Sequence, residues 1–252
     1  MNKAERLAHV LERLNADPNS QETRQQARTL VSEISPLELS LAEQKLVEQG
    51  MDPSELQHLC AVHLEVLEPG MAEFRAKLPA AHPLDTMIRE HNAILGFLAH
   101  LGQLGRQLKK LTGYDPGNPA FAALGEVAKN LLDAENHHQR EEQVLFPAME
   151  QRGITGPPRI MRMEHEQLRA RKHRLLELSQ QVQQGMDYQA FLDSLAETAG
   201  YLVFNLRDHI YKENNILYPT AVQTIVEESE WAELKSKCDR IGYCPFTKAE
   251  WR

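Results

Sequence analysis

One phrase occurs twice in this chain and constrains its fold more than any other feature. The first copy is His137-x-x-x-Glu141-x-x-x-Leu145-Phe146-Pro147, and the second, 72 residues later, is His209-x-x-x-Glu213-x-x-x-Leu217-Tyr218-Pro219. Glu90-His91 precedes the first copy and Glu164-His165 precedes the second. Residues four apart lie on one helix face, with Cβ atoms about 5–6 Å apart. The spacing therefore predicts helices over both copies, with His137 beside Glu141 and His209 beside Glu213. The leucine one turn later places each polar pair on the buried stripe. The Phe-Pro and Tyr-Pro ends are expected to punctuate both helices alike, because proline disfavours α geometry in the residue before it. Buried imidazole and carboxylate groups are costly unless paired or bound to metal. Four histidines and two carboxylates thus arrive as two matched half-sets. Imidazole with carboxylate suits iron, zinc or manganese, and the lack of a thiolate in the set argues against a zinc–cysteine or iron–sulfur site.

The rest of the chain agrees with a helical reading. Leu, Ala, Glu, Gln and Arg dominate, and all are good helix formers. Four long helical stretches are predicted at about 84–111, 119–151, 158–184 and 187–228, broken by the segments Gly113 to Pro119, Gly153 to Pro158 and at Gly185. Short connections between long amphipathic helices make antiparallel neighbours. The expected fold class is all-α: an up-down four-helix bundle preceded by a small N-terminal helical domain. Each bundle helix then carries at least one candidate ligand: His91, then His137 with Glu141, then His165, then His209 with Glu213.

Ahead of the bundle, helices are predicted at about 3–14 and 21–33, from Ser35-Pro36 to Gly50, and from Asp52-Pro53 toward Glu68-Pro69-Gly70. The expected division is 1–78 for the N-terminal domain, 79–226 for the bundle and 227–252 for a tail. That tail has a short helix around Trp231 and an aromatic segment to Phe246 packed back on the body.

Length and charge narrow the function. With 252 residues there is ample chain for a core, and a net charge of −8 argues against a general nucleic-acid binder. No apolar run approaches a membrane span, and the start of the chain reads as an amphipathic helix instead of a signal peptide. Three cysteines, Cys60, Cys238 and Cys244, are too few for a disulfide framework and fit a reducing cytoplasm.

These residues resemble the hemerythrin-like cation-binding family, the HHE domain, over about residues 80–225. That family has a lone His on helix one, His-x-x-x-Glu on helix two, a lone His on helix three, and His with a carboxylate on helix four. His91, His137, Glu141, His165, His209 and Glu213 match its metal-ligand positions. The resemblance implies two non-haem iron ions bridged by the two carboxylates, with manganese or zinc as other occupants. The segment at about 30–68, with Ser35-Pro36, Ala42-Glu43-Gln44 and Leu59-Cys60-Ala61-Val62-His63, resembles a domain of unknown function often found ahead of such bundles. Gly156-Pro157-Pro158 leading to Met161 and His165 fits the same subgroup.

One departure bears on activity. Oxygen-carrying members of the family have a second His one turn after the helix-three His, where this chain has Arg169, and an Asp at longer spacing on helix four, where this chain has His-x-x-x-Glu. Two six-coordinate metals need about twelve ligand positions. Four imidazoles fill four, two bridging carboxylates four and a bridging oxygen two, which leaves about one open position per metal. Open positions bind or activate small molecules. The expectation is a protein that binds or senses dioxygen, nitric oxide or peroxide. The alternatives are an enzyme consuming peroxide or nitric oxide, an iron donor to damaged iron centres, and a metal-responsive module that engages a protein partner through its N-terminal domain.

Several residues have two readings. Glu90 and Glu164 either orient ligands from behind or are solvated. His138 and Glu142 shadow the first motif one residue later, but alignment with the second copy favours His137 and Glu141. Within the bundle only Glu135-x-x-His138 has ferritin-like spacing, where such sites need two copies. His173 lies about 12 Å along the helix from His165 and, like His100, reads as a surface residue. The cysteines read as buried hydrophobes, and Tyr201 as packing.

Overall fold

The computed structural model describes residues 71–79 and 81–252, with isolated positions 22, 25, 26, 29, 35, 37, 38, 44 and 45 before them. The helices predicted at 3–14 and from Asp52 to Glu68 lie outside the described residues. The start predicted at Ser35 shows its cap: Glu38 N–H donates to Ser35 Oγ (3.2 Å) and Ser35 N–H to Glu38 Oε2 (2.8 Å). That reciprocal pair is a capping box.

The described residues are helical, with no strand among them. The helices are α1 (Met71–Ala76), α2 (Pro83–Leu108), α3 (Pro119–Leu132), α4 (Glu135–Arg140), α5 (Phe146–Glu150), α6 (Gly156–Gln181), α7 (Tyr188–Lys212), α8 (Tyr218–Thr224) and α9 (Glu228–Ile241), with a 3-10 turn at Ala249–Trp251. Two π turns, Glu141–Leu145 and Glu213–Leu217, join α4 to α5 and α7 to α8.

The chain divides into two compact units. Of the described residues, one unit holds those up to His82, Glu142–Arg162 and Tyr211–Leu234; the other holds Pro83–Glu141, Met163–Ile210 and Lys235–Arg252.

The second unit contains the greater part of all four long helical stretches. Local signals set their ends. Asn118 caps α3, its Oδ1 accepting from Ala120 N–H at 3.0 Å with Pro119 as the first helical residue. Asp187 caps α7 through Ala190 N–H (2.8 Å). Gly185, at φ 93°, supplies the left-handed residue after α6. The core is one cluster from Ile94, Leu98, Leu101, Leu104 and Leu108 on α2, Phe121, Leu124 and Leu131 on α3, Leu168, Leu175 and Leu178 on α6, and Phe191, Leu195, Leu202 and Leu206 on α7. Each such side chain contributes roughly 1.5–3 kcal/mol on burial. Histidines interrupt these stripes: His91 falls between Ile88 and Ile94 on α2, and His209 follows Leu206 on α7, all buried. The tail packs on the bundle through Phe246, edge-on to Phe97 (centroids 5.2 Å), and through Asn136 Nδ2, which donates to Tyr243 O (3.1 Å).

In the first unit, Gln44 accepts from the N–H groups of Thr155 (3.1 Å) and Gly156 (3.2 Å) and donates to Gly153 O (3.3 Å). Trp231 Nε1 donates to Ile225 O (2.8 Å), and its ring meets His82 at 4.3 Å between centroids.

Two expectations are corrected. The fourth stretch does not run to 228: it stops at Thr224, residues 225–227 are irregular, and α9 then runs fourteen residues to Ile241. The acidic run from Glu227 to Glu230 therefore opens a helix, where carboxylates face the favourable end of the dipole, and Glu230 pairs with Arg152. Nor do Pro147 and Pro219 end their helices. Each sits at the start of α5 or α8, directly after a π turn. A proline inside an α-helix clashes with the carbonyl four residues back. The π turn shifts bonding to five residues, as where Tyr218 N–H donates to Glu213 O, and the helix continues past the proline.

Candidate metal centre

The duplicated phrase has one backbone solution used twice. In each copy α-helix carries the histidine, a π turn starts at the glutamate, and α-helix resumes at the aromatic-proline. Single π turns within α-helices are common at functional sites.

Within the second unit the histidines pair by their Nε2 atoms. His91 Nε2 lies 2.9 Å from His137 Nε2, and His165 Nε2 lies 3.0 Å from His209 Nε2. Glu141 Oε2 stands between the pairs, 3.6 Å from His137 Nε2 and 3.5 Å from His165 Nε2. His91, His137 and Glu141 offer ligand atoms within 4.8 Å of one another. All five of these residues are at most 1% exposed. Glu213, also buried, is the first residue of the second π turn and lies one turn beyond His209 along the chain.

Behind the imidazoles sit the two glutamates that the sequence left undecided. Each reaches across to the histidine of the next motif and not to its own neighbour. His137 Nδ1 donates to Glu90 Oε2 (2.8 Å), and His209 Nδ1 donates to Glu164 Oε2 (2.7 Å). A carboxylate that takes the Nδ1 proton fixes the tautomer and leaves Nε2 with a lone pair, the arrangement found behind metal-bound histidines.

Glu90 is further held by Arg140, whose Nη2 lies 2.7 Å from Oε1 and 2.5 Å from Oε2, and by the Thr247 hydroxyl (2.5 Å). Burial alone would raise its carboxyl; the hydrogen bond and charge of His137, then Arg140 and Thr247, bring it down to about 2. The Arg140 guanidinium also lies over the Tyr243 ring (4.8 Å) and 3.9 Å from Cys244 Sγ. Burial pushes the Cys238 thiol to about 11 and the Cys244 thiol to about 12. Both are free, buried thiols, as the small-hydrophobe reading expects.

His138 also enters this group. It is 2% exposed, its ring stacks on His165 (centroids 4.0 Å, planes 12° apart), and its centroid is 6.2 Å from His209. His138, His165 and His209 offer ligand atoms within 4.8 Å of one another. Burial first, then the charges of His165, Lys172, His137 and His209, holds the His138 imidazole well below its ordinary value, so it is neutral. Arg169, at the place of the absent helix-three histidine, pairs with Glu135 (Nε–Oε1 3.0 Å, Nη2–Oε1 2.9 Å). His100 and His173 are exposed. Tyr201 donates to Gln167 Oε1 (2.8 Å) beneath Arg171.

The donor set fits metal. Two imidazole nitrogens about 2.1 Å from one metal and at right angles stand about 3.0 Å apart, which is the separation within both pairs. A carboxylate oxygen set between two such pairs is placed to serve both. Buried imidazole nitrogens with a carboxylate match iron, manganese or zinc.

Comparison with known proteins agrees on the family. The model of the hemerythrin HHE cation binding domain matches residues 82–221. A family of unknown function (DUF438) matches residues 7–73. Among curated proteins the chain is similar to the iron-sulfur cluster repair protein YtfE of Yersinia pseudotuberculosis serotype IB and to that of Yersinia pestis strain Pestoides F. Each is 27% identical over 161 residues, which is 62% of this chain and 72% of the relative.

Proposed function

This chain belongs to the hemerythrin HHE cation binding domain family, and on that premise we propose that it is a non-haem di-iron protein that binds dioxygen, nitric oxide or peroxide at positions its own side chains leave open. The observation that carries this reading is the double pair of facing Nε2 atoms, 2.9 Å and 3.0 Å apart, with Glu141 Oε2 between them. His91 and His137 would hold one ion, and His165 and His209 the other. Glu141 and Glu213 would be the shared carboxylates. Iron supplies a Lewis acid that changes between two oxidation states. Glu90 and Glu164 hold the Nδ1 protons of His137 and His209 and so aim their Nε2 lone pairs, and burial of the site keeps competing water out.

The test is anaerobic loading with ferrous iron, followed by titration with nitric oxide. The reading expects a new visible absorption band and a new paramagnetic signal that saturate with added ligand. Both should be lost in a His91→Ala, Glu213→Ala double variant. An iron-loaded protein that shows no change with nitric oxide, dioxygen or peroxide contradicts it. Stoichiometric uptake distinguishes a binder from an enzyme, which would consume peroxide or nitric oxide continuously.

A second reading is supported by similarity to the two YtfE proteins, whose names describe iron-sulfur cluster repair. In that reading the centre gives up iron to a damaged cluster. Incubating the iron-loaded protein with an oxidant-inactivated iron–sulfur enzyme should restore that enzyme while iron leaves this chain. Restoration equal to that by free ferrous iron argues against it.

A further inference from the structure

The tail reaches the candidate metal centre from outside the part of the chain that matches the family. That match ends at residue 221, and Lys235–Arg252 belongs to the same compact unit as His91, His137, His165 and His209. Gly242, at φ 92°, turns the chain after α9, and Thr247 N–H then closes a turn on Cys244 O (2.9 Å). The segment is pinned at both ends and in its middle. Asn136 Nδ2 donates to Tyr243 O (3.1 Å), the Phe246 ring meets Phe97 edge-on, and the Thr86 hydroxyl donates to Trp251 O. Thr247 lies among these anchors, 4% exposed, and its hydroxyl donates to Glu90 Oε1 at 2.5 Å.

That hydroxyl completes the surroundings of the Glu90 carboxylate. Oε2 accepts from His137 Nδ1 (2.8 Å) and Arg140 Nη2 (2.5 Å), and Oε1 accepts from Arg140 Nη2 (2.7 Å) and Thr247. An ionised carboxylate offers about four lone-pair sites, so Thr247 takes the last of them. Glu90 is fully buried, so bulk water cannot replace the hydroxyl, and a buried acceptor short of a partner is costly. The carboxylate relieves that cost by turning, which draws Oε2 away from His137 Nδ1. The orientation of the His137 ring, and of the Nε2 that faces His91 Nε2 at 2.9 Å, then loosens.

We propose that Thr247 is a positioning residue for the metal centre, acting through Glu90 on His137, and that docking of residues 243–252 and occupancy of the centre strengthen one another. This rests on His137 being a metal ligand, as read above. Coupling between two binding events is reciprocal: whatever factor the docked tail adds to metal affinity, the metal adds to docking of the tail. Occupancy of a buried centre is thereby passed to a segment whose last residues, Lys248, Ala249, Glu250 and Arg252, are exposed.

The test uses the full chain, metal-free and loaded anaerobically with ferrous iron. Iron affinity is read by competition with a chelator, and tail docking by hydrogen–deuterium exchange of peptides covering 243–252. Thr247→Val keeps the size of the side chain and removes the hydroxyl, and Thr247→Ser keeps the hydroxyl. Tyr188→Phe is the control: it removes a hydroxyl hydrogen bond to Leu108 O (2.8 Å) in the same unit, about 25 Å along α2 from His91. The proposal expects wild type, Thr247→Ser and Tyr188→Phe to bind iron alike and Thr247→Val to bind it roughly threefold to tenfold more weakly, a smaller effect than loss of the carboxylate itself. Loading should slow exchange in the tail by a similar factor in wild type and Thr247→Ser, and by less in Thr247→Val. Wild-type affinity in Thr247→Val, or an equal loss in Tyr188→Phe, overturns the proposal and leaves the metal-centre reading standing. So does a wild-type tail whose exchange is unchanged by iron, which decides the matter even where Thr247→Val is misfolded. A wild type that takes up no iron overturns both.

Discussion

His137 Nδ1 donates across 2.8 Å to Glu90 Oε2, and that glutamate stands one residue before His91, whose Nε2 faces His137 Nε2 at 2.9 Å. One step along α2 thus supplies both a candidate ligand and the carboxylate that takes the Nδ1 proton of the histidine facing it. Glu164 and His165 do the same for His209. Arg140 and Thr247 tie Glu90 in turn, so the tail is bound to the candidate ligand set through one carboxylate.

Replacing Glu90 by Gln should remove the acceptor from His137 and leave the Arg140 charge buried and unpaired. Breaking a buried pair on one side costs about 3–5 kcal/mol, and loss of the carboxylate behind a metal histidine lowers metal affinity roughly tenfold to a hundredfold. Urea unfolding of the metal-free variant checks the first, and chelator competition the second. Glu164→Gln should show the affinity effect.

Acid should act through the same residue. The Glu90 carboxyl lies at about 2 in the fold, against an ordinary value of 4.5. A depressed carboxyl stabilises the fold above its unfolded value, and that contribution disappears as pH falls from about 4.5 toward 2. The shift corresponds to roughly 3 kcal/mol. Unfolding free energies measured between pH 2 and 6 should fall less steeply with acid for Glu90→Gln than for wild type, with the two curves converging at the acid end. Parallel curves would remove Glu90 from the acid response.

Cys238 and Cys244 are buried thiols pushed to about 11 and 12. At pH 8 both are protonated and shielded, so iodoacetamide should leave them unmodified in the folded protein and alkylate both in denaturant. Peptide mass spectrometry reads each site separately. Rapid labelling of Cys244 in the folded protein would contradict its packing against Arg140.

How much of this was legible in the sequence follows from how local each feature is. Helices and their breaks were readable because Asn118-Pro119, Asp187 and Gly185 act on their own neighbours. The candidate ligands were readable because the repeat displays them twice. The π turns were not: Pro147 and Pro219 read as stops, since nothing local shows that an extra residue in the turn relieves the proline clash. The roles of Glu90 and Glu164 depend on which way neighbouring helices face, so their partners, 47 and 45 residues away, could not be named. His138 was set aside as a shadow of His137 because alignment with the second copy favours His137 and Glu141; its burial against His165 depends on helix packing that the repeat does not display.

The central claim is that these side chains hold two iron ions. Its most direct test is the iron content of the ferrous-loaded protein after desalting. About two iron per chain is expected for a dinuclear site, falling in His91→Ala and in His209→Ala. One iron or fewer per wild-type chain, or a content unchanged by both substitutions, would contradict it.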